Sequence, residues 1–122
     1  MTATKGPSNL YGNKNQRPTD KINYPYAKGF NTETLYNHFS NHGREMGLNS
    51  ITDYENSAIK FANNISTVAD SFVDEFGSTY KYNFDTKKFI IVDKTGKIIT
   101  YFKPVRGDQY FLDQKKNNKV VK

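Results

Sequence analysis

The sequence predicts an α+β fold, with N-terminal helices packed on one face of an antiparallel sheet of three to five strands. Three observations carry this. Apolar residues recur at helical spacing in two segments between residues 32 and 65. Short runs rich in β-branched and aromatic residues follow, separated by turn signals. Helices first and strands after is an order in which helices segregate onto one side of a sheet.

The first helix is expected over residues 32–44. Asn31 or Thr32 can cap it, Glu33 suits its positive end, and Gly43 or Gly47 can stop it. Leu35, Phe39 and Met46 form an apolar stripe, with His38 and His42 beside it at i, i+4 spacing. For the second helix, Thr52-Asp53-Tyr54-Glu55 reads as a capping box. Tyr54, Ala58, Phe61, Ala62 and Ile65 recur at helical spacing, and the helix should end near Asn63-Asn64. Residues 68–76 fit two states: Val68, Phe72 and Phe76 have helical spacing, while the Phe content suits a strand. Thr79, Tyr80, Tyr82 and Phe84 are strand formers, and Asp85-Thr86 marks a turn. Phe89-Ile90-Ile91-Val92 suits a strand buried on both faces. Asp93-Lys94-Thr95-Gly96 is a second turn, and Ile98-Ile99-Thr100-Tyr101-Phe102 a last strand that Pro104 closes.

A chain of 122 residues suits one core. Residues 1–28 hold Pro7, Pro18 and Pro25 and few aliphatic side chains, so they read as a flexible or extended arm before a domain spanning 29–122. Ile22, Tyr24, Pro25 and Tyr26 could still pack on that domain as an extended segment. No apolar run approaches the roughly 20 residues of a membrane helix, and no secretory signal is read in residues 1–21. The absence of Cys excludes disulfides, thiolate zinc sites and cysteine nucleophiles. The net charge of +6 is uneven. Residues 1–28 carry five basic groups and one acidic (+4), residues 29–76 two and seven (−5), and residues 77–122 eleven and four (+7). A basic C-terminal half suits a polyanion partner, nucleic acid or an acidic protein. It also suits a solvated Lys-rich surface.

Two clusters could carry chemistry. Histidine is the side chain that titrates near neutrality, so His38 and His42 are candidates for general acid/base work. A metal site wants a third ligand, and His38-Phe39-Ser40-Asn41-His42 lacks the glutamate of the metalloprotease helix motif; no metal or other cofactor is expected. The bland alternative is that either His packs beside Leu35 or ends the helix. In the second cluster, Thr100 and Phe102 should share one strand face, with Tyr101 and Lys103 on the other. A hydroxyl beside an aromatic ring suits a phosphate contact next to a base-stacking platform. An ordinary strand hydroxyl and a core ring would look the same.

Together the clusters form a pattern: Leu35-x-x-His38-Phe39-x-x-His42-Gly43-x-Glu45-x-Gly47, Tyr82-x-Phe84-Asp85-x-x-x-x-Phe89, and Gly96-x-Ile98-x-Thr100-Tyr101-Phe102-Lys103-Pro104. Over residues 29–104 this resembles the C-terminal ribonuclease domains of bacterial polymorphic toxins: colicin D-like tRNA-cleaving domains and the ribonuclease ends of contact-dependent inhibition and LXG-type toxins. These belong to the barnase–EndoU–colicin–RelE group. The resemblance implies a metal-independent endoribonuclease that cleaves tRNA in its anticodon region, in which a 2′-hydroxyl attacks the adjacent phosphate and leaves a 2′,3′-cyclic phosphate. It implies His42 as the catalytic histidine, Thr100 as the late-strand hydroxyl and Phe102 as the stacking aromatic, where colicin D has Trp. Colicin D has Lys three residues before its histidine, where this chain has Phe39, so His38, Lys60, Lys103 and Arg106 are the candidates for the cationic role. Tyr101 completes the candidate substrate contacts.

The same resemblance implies an acidic cognate immunity protein as partner, elongation factor Tu as a host factor to consider, and delivery from the producing bacterium within a larger toxin that acts in the target-cell cytoplasm. Two other classes fit the charge: a non-catalytic RNA-binding module, and a protein-interaction domain whose Lys-rich tail meets an acidic partner.

Overall fold

Asn31 and Ser50 open the first two helices. In the computed structural model, which describes residues 18–20, 22 and 26–122, helix α1 runs Thr32–His42 and the Asn31 side chain accepts from the Glu33 N–H at 2.8 Å. Gly43 follows, and a Cβ there would lie 2.6 Å from the Phe39 ring and 2.8 Å from the Phe39 carbonyl oxygen. Helix α2 runs Ile51–Asn63 and starts before the expected capping box. Ser50 takes the extended cap conformation and its Oγ accepts from the Asp53 N–H at 3.0 Å, so Thr52 is already helical. Glu55 is used elsewhere, accepting from the Phe30 N–H at 3.0 Å. Tyr54, Ala58 and Ala62 form the buried stripe, whereas Ile65 lies beyond the helix end and is exposed.

Among the described residues there are five strands: β1 (Gly29–Phe30), β2 (Ala69–Val73), β3 (Thr79–Asn83), β4 (Phe89–Val92) and β5 (Lys97–Phe102). Their order is β1-β5-β4-β3-β2; the last four form an antiparallel meander, and β1 adds in parallel through Gly29↔Lys97 and Phe30↔Ile98. Gly29 has φ +127, and a Cβ there would meet the Glu55 carboxylate at 2.6 Å, so glycine is required for that close approach. Within residues 68–76, Ala69–Val73 form strand β2 with every strand position buried, while Phe76 lies beyond it and is exposed. In the β4–β5 ladder Ile91 pairs with Thr100 but Val92 pairs with Ile98, leaving Ile99 as an exposed extra residue.

The sheet is covered on both faces. Ile90, Val92, Ile98 and Tyr101 pack with Phe30, Met46, Tyr54 and Ala58 beneath α1 and α2. Phe72, Tyr80, Tyr82 and Phe89 form the second face, capped by Phe111 of a third helix, α3 (Asp108–Asn117). The sequence held little sign of α3. Only Phe111 is buried in it, and its Gly107 N-cap supplies no side-chain bond.

The described residues of the expected arm belong to the domain. Thr19 donates its hydroxyl (2.7 Å) and N–H (3.2 Å) to Asp70 and accepts from the Ser71 N–H at 2.9 Å, lying along the outer edge of β2. Asp20 forms a 2.9 Å ion pair with Lys81, their side chains 1% and 2% exposed. Ile22 and Ala27 join the core, and the Lys28 N–H bonds the Gly96 carbonyl. Composition hides these links because each depends on a distant partner. At the other end of β2, the Val121 N–H bonds the Val73 carbonyl, so the segments around Thr19 and Val121 shield this edge strand. The packing expected of Tyr24 and Pro25 lies outside the described residues.

Candidate functional site

β1 pairs with β5 only as far as Ile98, so among the described residues the outer edge of β5 beyond that point has no strand neighbour. The end of α1 and the turn after it meet this edge. Glu45 Oε2 accepts from the Lys103 N–H at 2.8 Å and latches the turn to the strand end. The rings then fall into a row. Phe30 lies 5.2 Å from His38, His38 is 6.2 Å from His42, and His42 stacks on Phe102 at 5.1 Å with 28° between planes. Phe89 and Tyr110 hold the Phe102 ring in T-shaped contacts at 5.6 Å each.

The His42 imidazole is thus fixed on two sides. Its Nδ1 is sealed from solvent without a hydrogen bond among the described residues, and Glu45 Oε1 lies 3.6 Å away. That spacing is too long for a hydrogen bond, yet short enough to close with a small rotation. A proton on Nδ1 facing Glu45 would leave Nε2 as the working nitrogen. Burial pushes the His38 pKa below its ordinary 6.5, and the neighbouring His42 adds to the effect.

The sites expected from sequence sort into three groups. His38, His42 and Phe102 come together, with Lys103 tied in through Glu45. One face of Phe102 is taken by the imidazole, so the ring's visible work is to hold His42. Thr100 shares the sheet face of Phe102, two positions earlier and about 7 Å along the strand. Arg106 is engaged elsewhere, in a 2.5 Å ion pair with Asp113 that braces α3. Lys60 is exposed on α2, beside a cleft.

Tyr101 lies apart from the His42 row, on the α2 side of the sheet. It is fully buried and its hydroxyl pairs with Ser57 at 2.7 Å, because alternation turns it under α2 when Thr100 and Phe102 face the other way. Two contributors were missed. Glu45 stood in the motif without a role, and Tyr110 lies on the unread helix. His38 and His42 gain no third metal-ligating side chain among the described residues.

Compared with known proteins, the chain matches no family model and no curated sequence. Among the described residues no helix is long and apolar enough to cross a membrane.

Proposed function

We propose that this chain is a metal-independent endoribonuclease whose centre is His42. The observation that carries the reading is the clamped imidazole: stacked on Phe102, backed by His38, with Nδ1 turned to Glu45, at the edge of a lysine-rich sheet end. Such an imidazole can move a proton at one end of an in-line displacement. It takes the 2′-hydroxyl proton as base or gives one to the departing 5′-oxygen as acid, and a 2′,3′-cyclic phosphate forms. Lys103 would meet the charge that builds on the non-bridging oxygens, and the Thr100 hydroxyl would hold the phosphate. The motif resemblance supports narrower terms: tRNA as substrate at an unstacked anticodon loop, a toxin delivered by a producing bacterium, an acidic immunity protein over the site, and elongation factor Tu as a host factor.

Total RNA incubated with the protein should be cut with or without EDTA, leaving cyclic phosphate ends. His42→Ala should lower cleavage by about 10²–10⁴-fold while the circular dichroism spectrum stays unchanged. RNA left intact, or cleavage stopped by the chelator, refutes the reading. A non-catalytic RNA-binding module is the second reading, favoured by Lys60, Lys88 and Lys103 lacking ion-pair partners among the described residues. It predicts salt-sensitive RNA retention with the RNA recovered whole.

A further inference from the structure

The turn between β3 and β4 faces α2 across an open cleft of about 620 Å³. Small-molecule sites span about 300–1,000 Å³. Ser57, Lys60 and Asn64 line one side, Asn83 and Lys88 the other, with Phe61 as an apolar wall. Among the described residues, Lys81 and Lys88 are the two lysines withdrawn from full exposure. Lys81 has a carboxylate, Asp20. Lys88 has none. Burial pushes its ammonium below the ordinary lysine pKa, and the neighbouring Lys103 adds to that. Two like charges brought together without a counter-ion are unfavourable until an anion joins them.

The rest of the lining suits a nucleoside. Asn83 Oδ1 is occupied by the Asp85 and Thr86 N–H groups of its own turn, which leaves its NH₂ to donate outward. Asn64 and Ser57 add polar groups opposite. Phe61 has Lys81 over its ring at 5.2 Å and the Tyr101 ring 5.9 Å away, so the polar groups of the lining offer the more direct recognition. Asp53 is the sole carboxylate in the lining.

We propose that this cleft is a nucleotide subsite, taking one phosphate-bearing nucleoside of the RNA flanking the cleaved bond, with its phosphate at Lys88, Lys103 and Lys60 and its base toward Asn64 and Asn83. The inference rests on the ribonuclease reading for its substrate. Lys103 joins the two sites, since its N–H is held by the same Glu45 that faces His42.

The test is an amide NMR titration of the full chain with ribonucleoside 3′-monophosphates, and with inorganic phosphate as the comparison. Shifts should saturate at Ser57, Lys60, Asn64, Asn83 and Lys88, with nucleotides binding more tightly than inorganic phosphate. Lys88→Gln should weaken nucleotide binding about tenfold or more, and should hold or raise the thermal midpoint because it relieves repulsion. No shifts at these amides, equal affinity for inorganic phosphate, or unchanged binding by Lys88→Gln would overturn the proposal. Binding is read without turnover. A protein that binds nucleotide here but leaves RNA intact refutes the ribonuclease reading alone; one that cuts RNA but binds no nucleotide here refutes the subsite alone.

Discussion

Replacing Asp20 with Ala should cost the fold about 3–5 kcal/mol, the range for breaking a buried ion pair by removing one partner. The geometry supports that range rather than the value of about 1 kcal/mol or less for exposed pairs. Lys81 Nζ lies 2.9 Å from Asp20 Oδ2, and the two side chains are 2% and 1% exposed. Without Asp20, the ammonium keeps one neutral acceptor, the Asn64 carbonyl at 2.7 Å, and the Phe61 ring at 5.2 Å. The Ser66 N–H also loses its acceptor, which is Asp20 Oδ2 at 2.8 Å. Unfolding entropy of roughly 2.1 cal/mol/K per residue gives about 0.26 kcal/mol/K for 122 residues, so the thermal midpoint should fall by about 12–20 °C.

Far-UV circular dichroism during heating and in urea measures this. Asp20→Ala combined with Lys81→Met removes both charges and should recover most of the loss, because an apolar replacement leaves no unpaired ion. A chain beginning at residue 29 should lose at least as much as the single variant. The reasoning fails if Asp20→Ala lies within about 1 kcal/mol of the parent, or if the double variant is no more stable than Asp20→Ala.

Other consequences are as direct. His38 is held below its ordinary 6.5 by burial and then by His42, so folding favours its neutral form. Its contribution to stability is complete above that unfolded value and is lost as pH falls through the lower folded one. Urea midpoints should decline on acidification through this window, and less so in His38→Gln; equal declines would show that other groups govern the effect. Gly43→Ala places a methyl 2.6 Å from the Phe39 ring and 2.8 Å from its carbonyl oxygen, and should cost about 1–3 kcal/mol in urea unfolding despite alanine's better helix propensity. Glu45→Gln keeps an acceptor for the Lys103 N–H but removes the charge facing His42 Nδ1. It should slow RNA cleavage about tenfold or more with the fold intact, and an undiminished rate would leave Glu45 as a backbone latch only.

What could be read in the sequence was what depends on near neighbours. Asn31 capped its helix, the Phe89 to Val92 run became a buried strand, and the turns fell where Asp and Gly placed them. Features set by distant partners were hidden. Asp70 and Ser71 break the apolar pattern of β2, and distant partners accompany their burial: Thr19 bonds both, and Lys115 pairs with Asp70 at 3.5 Å. Lys81 sits between Tyr80 and Tyr82 where alternation suggests a solvent-facing residue, yet α2 and Asp20 cover that face. Residues 18–20, 22 and 26–28 look like an arm because the carboxylates, carbonyls and apolar surface that hold them lie elsewhere in the chain.

The candidate site follows the same division. The residue types of the His pair and of the Thr100-to-Lys103 strand were visible, but their meeting depends on the Ile99 bulge and the shortness of β1. Without the bulge, Ile98 and Tyr101 would face opposite sides, and one of two buried anchors beneath the helices would be lost. With it, both are buried under the helices while Phe102 emerges at the strand end on the other face. β1 stops at Phe30, so the end of α1 can reach round that unpaired edge and set His42 on Phe102. An extra residue in the strand and a missing stretch of neighbouring strand therefore position the imidazole, and strict alternation in the sequence predicts neither.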